Sequence, residues 1–144
     1  MKNPHDPRHL RRKLLVEELF KIDFHDQPVI PDVKDILEQR DHLDKYIQMA
    51  APEFPIDKIN KIDLAILRLA SYELLIAKRE PPKVVIDEAI ELAKEYGGAT
   101  SPSFVNGALG KLLTYEPGLA EAASEGAKGE INTDIQTNET NTTD

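Results

Sequence analysis

The chain contains no cysteine and no tryptophan, and aromatic residues make up only 6% of its 144 positions. Without cysteine it cannot form a disulfide framework, a thiolate metal site, an iron–sulfur cluster or a cysteine nucleophile. Long apolar runs are also missing: no window approaches about eighteen consecutive apolar residues, and the first residues, MKNPHDPRHLRRK, lack the apolar stretch of a signal peptide. These absences predict a cytoplasmic protein without a membrane span.

Charge is concentrated at the two ends of the chain. The formal net charge is -8, of which residues 116–144 carry -6, whereas residues 1–13 carry +4. Residues 116–144 are rich in Asn, Thr, Gly and Ala with almost nothing to bury, which predicts a disordered acidic tail. Residues 1–6 are expected to be a flexible arm. The basic residues near it indicate either a local polyanion partner or only the solvated start of a helix, and both interpretations stay open.

The part between arm and tail, residues 7–115, has a helical pattern throughout, without sustained alternation typical of strands. Proline and glycine divide it into five predicted helices, at about 7–24, 32–51, 61–78, 82–96 and 102–113. The pair Gly97-Gly98 predicts a left-handed cap after the fourth helix. The third helix is apolar nearly all round, which predicts a central position. We therefore expect an all-α bundle in two halves that share this helix.

The first predicted helix has two notable faces. At about 100° per residue, Arg8, Arg11 and Arg12 fall within roughly 80° of one another and predict a basic face. Phe20 lies about 140° around the helix from the centre of its apolar stripe. It is therefore either a second core contact or an exposed partner surface.

Groups that could support catalysis are sparse. His5 and His9 are four residues apart, but Pro7 between them argues against a helical metal-ligand pair, and no HExxH motif accompanies them. Gly97-Gly98 lacks the surrounding residues of a phosphate-binding loop. We expect no catalysis, no metal site and no cofactor.

Three segments together carry a family resemblance: ILRLASYELL, then VVIDEAIELAKEYGG after a proline-containing turn, then SFVNGALGKL. At this spacing over residues 62–112 the pattern resembles the transcription antitermination factor NusB family, and the resemblance extends over about residues 7–115. It implies two helical bundles at about right angles. Relatives usually have a further helix where only residues 26–32 stand here, so the N-terminal half is expected to be reduced.

The resemblance implies an RNA-binding accessory factor of RNA polymerase. In the family, NusB pairs with NusE, a protein of the small ribosomal subunit, and the pair binds the boxA element of nascent RNA. The complex promotes antitermination, chiefly during ribosomal RNA synthesis, without a cofactor or catalysis. The acidic net charge does not oppose this role, because phosphate attraction is screened beyond about 8 Å at physiological salt and a local basic patch suffices.

The resemblance also implies roles for particular residues. Those on the RNA side are Arg8, Arg11, Arg12, Lys13, Lys83, Ser103, Phe104 and Asn106. Without the family, Phe104 is better interpreted as a core residue, and Asn106 is equally compatible with a hydrogen bond between helices. Phe20 and Asp63 match the family's partner interface, which favours Phe20 as an exposed anchor.

Two other functions compete with this interpretation. Some ribosomal RNA cytosine methyltransferases carry a NusB-like domain, but this chain has no glycine-rich cofactor loop, so the enzyme would have to be truncated. The second competitor is a protein-interaction module with little RNA affinity. The short basic arm and the reduced first bundle leave that function open.

Overall fold

Six α-helices make up the fold of residues 5–115. A computed structural model describes residues 5–115, and this part of the chain contains no β-strand. The helices are α1 (Pro7–Ile22), α2 (Pro31–Glu38), α3 (Arg40–Ala50), α4 (Lys61–Tyr72), α5 (Pro82–Tyr96) and α6 (Ser101–Leu112). A 3₁₀ turn (Ile56–Lys58) precedes α4 and a π-helical turn (Glu73–Ala77) follows it. The all-α prediction is confirmed. The predicted tail, 116–144, lies outside the described residues, as do positions 1–4 of the predicted arm.

Helix α4 is the centre of the molecule, as its apolar circumference predicts. Every residue from Asp63 to Ser71 is buried, and all five other helices pack against α4. Its start is fixed locally, because the Asn60 side-chain oxygen accepts hydrogen bonds from the backbone N–H groups of Ile62 and Asp63. The two halves therefore share one buried helix, as predicted.

The single helix predicted over 32–51 is wrong, because two helices occupy this segment. The backbone of Gln39 leaves the helical region, with φ -101° and ψ 7°. Helix α2 packs against α1 and α4, whereas α3 packs against α4 and α6. Because of the break, Val33 and Ile36 on α2 face one set of helices, and Leu43 and Ile47 on α3 face a different set. The N-terminal half consequently holds three helices, of which α2 has only eight residues.

Proline and side-chain caps determine where the helices begin. Pro7, Pro31 and Pro82 lie in the first turns of α1, α2 and α5, where a missing N–H leaves no hydrogen bond unmade. The Asp6 carboxylate accepts a hydrogen bond from the N–H of Arg8 at 2.8 Å and caps α1. Both α1 and α5 begin where the sequence predicts.

The left-handed glycine cap predicted after α5 is wrong at Gly97. This residue is extended, with φ -94° and ψ -171°. Glycine is required there for space, since a Cβ atom would lie 2.4 Å from Ser101 Oγ and 2.8 Å from the Ala93 carbonyl oxygen. The Ser101 hydroxyl also accepts the N–H of Gly98 at 3.0 Å. The connection from α5 to α6 is therefore tightly folded.

Candidate nucleic-acid interface

Arg8 and Arg11 lie exposed in the first two turns of α1. The Arg8 guanidinium donates to the two Asp6 carboxylate oxygens at 3.3 and 3.1 Å. Arg11 pairs with Asp32 at the start of α2. Their side chains are 69% and 46% exposed. Exposed ion pairs contribute at most about 1 kcal/mol each, so a phosphate group can replace either carboxylate.

Arg12 is buried, so the predicted exposed face of three arginines is wrong at this position. Only 8% of the residue is exposed. Its Nε and Nη2 donate to the two carboxylate oxygens of Glu73 at 2.8 and 2.7 Å, and Glu88 and Glu80 lie 3.9 and 4.0 Å away. The hydrogen bonds with Glu73 raise the pKa of Arg12 although burial opposes this. Arg12 therefore ties α1 to the π-helical turn.

His9 is buried on the same side of α1 and was not predicted to have a role. Its Nδ1 lies 3.0 Å from a Glu88 oxygen and its Nε2 lies 2.9 Å from a Glu95 oxygen. A neutral imidazole has one N–H, so only the protonated ring donates to both carboxylates. The pKa of His9 is raised, mainly by the hydrogen bond with Glu88. The protonated ring thus joins α1 to α5.

The helical spacing of the sequence indicates that His9 and Arg12 are buried. His9 and Arg12 precede Val16 by seven and four residues, and Val16 is fully buried. Residues at these separations share one helix face. The face that packs on the core therefore carries two of the charged side chains of α1.

The two predicted lysines also have acidic neighbours. Lys13 Nζ lies 3.5 Å from a Glu95 oxygen and 6.0 Å from the centre of the Tyr96 ring. Lys83, in the first turn of α5, lies 3.4 Å from Asp87 and its side chain is 72% exposed. Lys83 is therefore more accessible to a ligand than Lys13, whose side chain is 36% exposed.

The first turns of α6 present the remaining residues on the predicted RNA side. Ser103 and Asn106 are exposed, which does not favour the interhelical hydrogen bond considered for Asn106. Phe104 is partly buried against the core. Its ring meets that of Phe54 edge to face, with 5.3 Å between the centroids. Phe104 thus contributes to the core and still reaches the surface.

The structure places the predicted RNA-side residues on three helices. The α1 group is Arg8, Arg11, Arg12 and Lys13, the α6 group is Ser103, Phe104 and Asn106, and Lys83 lies on α5. Helix α1 packs mainly on α4 and α2, and α6 mainly on α5, α3 and α4. The α1 group and the α6 group consequently lie on helices that are not close neighbours. Lys13 nevertheless lies beside Glu95 and Tyr96 at the end of α5, shortly before α6 begins at Ser101.

Phe20 lies at the edge of a groove on another part of α1. The residue is partly buried, and its ring contacts the exposed Phe24 ring with 5.0 Å between the centroids. The groove has a volume of about 730 Å³ and is lined by Glu17, Phe20, Lys21, Asn60, Lys61, Ile62 and Tyr96. Tyr96 donates a hydrogen bond to Glu17 along it, and burial followed by this hydrogen bond raises the pKa of Tyr96.

Asp63, a predicted partner-binding residue, is buried, so it does not offer an exposed charge to a partner. The residue is 7% exposed. It lies beneath the start of α6, where burial raises the pKa of its carboxyl group and a hydrogen bond with Ser101 partly opposes the shift. One of its carboxylate oxygens, Oδ1, has no hydrogen-bond partner. Asp63 therefore contacts the chain's own α6 start.

Among residues 5–115, no helix is both long enough and apolar enough to cross a membrane. Within the same range, no three His, Asp or Glu side chains are grouped so that they could hold a metal ion.

Comparisons with known proteins identify the relatives of the chain. The sequence pattern of the NusB family matches residues 32–114. The solved structure of T. maritima NusB is 32% identical in sequence, with a TM-score of 0.63 over 78% of this chain and 92% of that one. The similarity therefore covers the central helix, α5 and α6 together with most of the N-terminal half.

Two curated relatives are also named NusB. A Roseiflexus castenholzii transcription antitermination protein NusB is 37% identical over 130 residues, 74% of this chain and 92% of the relative. A Chloroflexus aggregans protein of that name is 46% identical over 90 residues, 61% of this chain and 60% of the relative. The chain thus spans about three fifths of the Chloroflexus protein. The names describe antitermination proteins and no enzymes.

Proposed function

Because the chain belongs to the NusB family, we propose that it binds boxA RNA together with NusE in an RNA polymerase antitermination complex at ribosomal RNA operons, in the cytoplasm. In this proposal it is a binding factor with no catalytic step and no cofactor. The observation that carries the proposal is the exposed pair Arg8 and Arg11 on the first turns of α1. Guanidinium groups bind phosphate through paired hydrogen bonds.

The ion pairs of the predicted basic residues support weak RNA binding by the protein alone. Of the five predicted basic residues, Arg12 is occupied by Glu73 inside the fold, and the other four each lie beside a carboxylate. An RNA phosphate must displace that carboxylate before it gains the contact. Few phosphate contacts give low affinity at physiological salt. We therefore propose that NusE supplies further contacts and strengthens RNA binding.

The first test is the double variant Arg8→Ala/Arg11→Ala. It should weaken binding of boxA RNA and flatten its salt dependence, lowering the slope of log K against log salt by about 1.4, as expected for two lost phosphate contacts with a single strand. A mobility-shift assay over a salt series, with and without NusE, measures both. Arg40→Ala, an exposed arginine on α3, is the matched control. An unchanged slope in the double variant would show that these arginines do not contact phosphate.

The second test concerns the partner surface at Phe20. Phe20→Ala should weaken NusE binding by about 2 kcal/mol, because a partly exposed aromatic at the edge of a groove is a typical interface anchor. Isothermal titration with purified NusE measures the change, and a melting curve of the same variant measures stability. A fully buried phenylalanine would instead cost about 3–5 kcal/mol of stability. Phe54→Ala is the control and should leave NusE affinity unchanged. Retained NusE affinity in folded Phe20→Ala contradicts the proposal.

The ion pairs also favour a second candidate function, a protein-interaction module with little RNA affinity. If carboxylates hold Arg8 and Arg11 more tightly than RNA does, the protein would bind NusE alone. The same mobility-shift series separates the two functions. NusE binding without any shift of boxA RNA identifies the interaction module.

A further inference from the structure

Phe54 is an exposed aromatic residue held in a fixed position. It lies between α3 and the 3₁₀ turn and is 46% exposed. The Gln48 side-chain amide donates to the carbonyl oxygens of Ala51 and Phe54 at 3.2 and 2.9 Å, and its oxygen accepts the N–H of Ile56 at 3.0 Å. One side chain therefore bonds to the backbone on both sides of Phe54.

Two prolines and a backbone hydrogen bond add to this restraint. Pro52 and Pro55 flank the residue and fix their own φ angles. The N–H of Phe54 donates to the Ala51 carbonyl oxygen at 3.0 Å. A backbone segment that is already ordered loses little conformational entropy when it binds a ligand. The segment is thus preorganised to present the Phe54 ring.

The Phe54 ring extends the surface formed by α6. Its plane is inclined 77° to that of Phe104, at 5.3 Å between the centroids. Phe104 is packed partly against the core, so Phe54 is the more exposed ring of the pair.

We propose that Phe54 binds an unpaired RNA base by stacking, with Phe104 at the edge of that base. The inference rests on the proposed function and adds a second aromatic residue to its RNA surface. The sequence neighbours of Phe54 do not favour phosphate attraction, because Glu53 and Asp57 are exposed and Lys58 is the one basic residue among residues 50–60. Aromatic stacking tolerates any base, and the uncharged ring makes no salt-dependent contact with phosphate. The contribution of Phe54 should therefore depend little on salt, unlike that of the α1 arginines.

The absence of tryptophan from the chain allows a direct test. Phe54→Trp introduces a single indole whose fluorescence is quenched when a base stacks on it. Titration with a short single-stranded boxA RNA should quench it, and a duplex of the same sequence should quench it much less. Phe24→Trp is the matched control, since Phe24 is also exposed, at 56%, and also in an edge-on aromatic pair. Its fluorescence should not respond to RNA.

An affinity series separates stacking from simple apolar contact. Phe54→Leu should reduce affinity for the single-stranded RNA by about 5- to 100-fold, with the salt slope unchanged, whereas Phe54→Tyr should keep near wild-type affinity. Phe24→Leu is the control. Melting curves confirm that each variant is folded.

The possible outcomes distinguish this inference from the proposed function. If wild-type protein binds the RNA and folded Phe54→Leu binds it equally well, only the stacking inference is overturned. If wild-type protein binds no RNA with or without NusE, both fail. Quenching of Phe54→Trp by NusE but not by RNA would also overturn the inference, because the ring would then be a protein contact.

Discussion

Replacing Arg12 with alanine is expected to lower the free energy of unfolding by about 3–5 kcal/mol. The change removes the guanidinium that donates to both Glu73 oxygens and leaves carboxylates in a poorly solvated site, with Glu88 also close by. An unpaired buried charge costs far more than the pair contributes. Urea unfolding followed by the helical circular dichroism signal measures the loss.

Two further variants test this explanation of the Arg12 effect. Arg11→Ala, one residue away but exposed in its ion pair, should change stability by under about 1 kcal/mol. The double variant Arg12→Met/Glu73→Met should recover much of the loss, because two apolar side chains leave neither charge of the pair unpaired. A loss under about 1 kcal/mol in Arg12→Ala would contradict the buried ion pair.

Stability is also expected to fall as the pH rises through the raised pKa of His9. The unfolded histidine titrates near pH 6.5, and the hydrogen bond with Glu88 raises the pKa in the folded chain. The folded state therefore binds more protons between the two values, so the free energy of unfolding decreases with rising pH. The stabilisation is complete below the unfolded pKa and absent above the folded one, when one carboxylate faces an imidazole nitrogen without a proton.

The measurement is the urea unfolding free energy from about pH 5.5 to 9 for wild type and His9→Gln. Glutamine cannot titrate, so the difference between the two curves isolates His9 from the other ionisable groups. Each lost charge-assisted hydrogen bond corresponds to about 1.5–3 kcal/mol at the acidic end, and the two curves should approach each other at the basic end. Parallel curves would show that His9 does not titrate between its two carboxylates.

The helix ends that the sequence predicts correctly depend on local chemistry. Pro7 and Pro82 begin their helices because proline fits the first turn, whatever the rest of the chain does. The central helix is likewise predictable, since a segment that is apolar nearly all round can only be buried. The break at Gln39 has no such local cause. Glutamine and the arginine after it are good helix formers, and the break serves packing against two different sets of helices.

The two predicted site residues that are buried, Arg12 and Asp63, owe their burial to contacts between distant parts of the chain. The helical spacing places Arg12 on the buried face, but its acceptor Glu73 lies 61 positions away, and no spacing rule predicts that pairing. Asp63 is buried because the start of α6 covers it, and this depends on how closely the chain turns at Gly97. Side chains at helix surfaces such as Arg8, Lys83 and Asn106 are easier to predict, because exposure needs no partner.

The contacts of His9 have a consequence for folding during synthesis. Its two carboxylate partners follow it by 79 and 86 positions. A ribosome that adds about 5–20 residues per second needs roughly 4 to 17 s to reach the second one. During that interval α4, on which α1 mainly packs, is completed before the acceptors of His9 exist. The two bonds of His9 therefore form after α1 can already pack on α4, and they join α1 to α5 as a late step of folding.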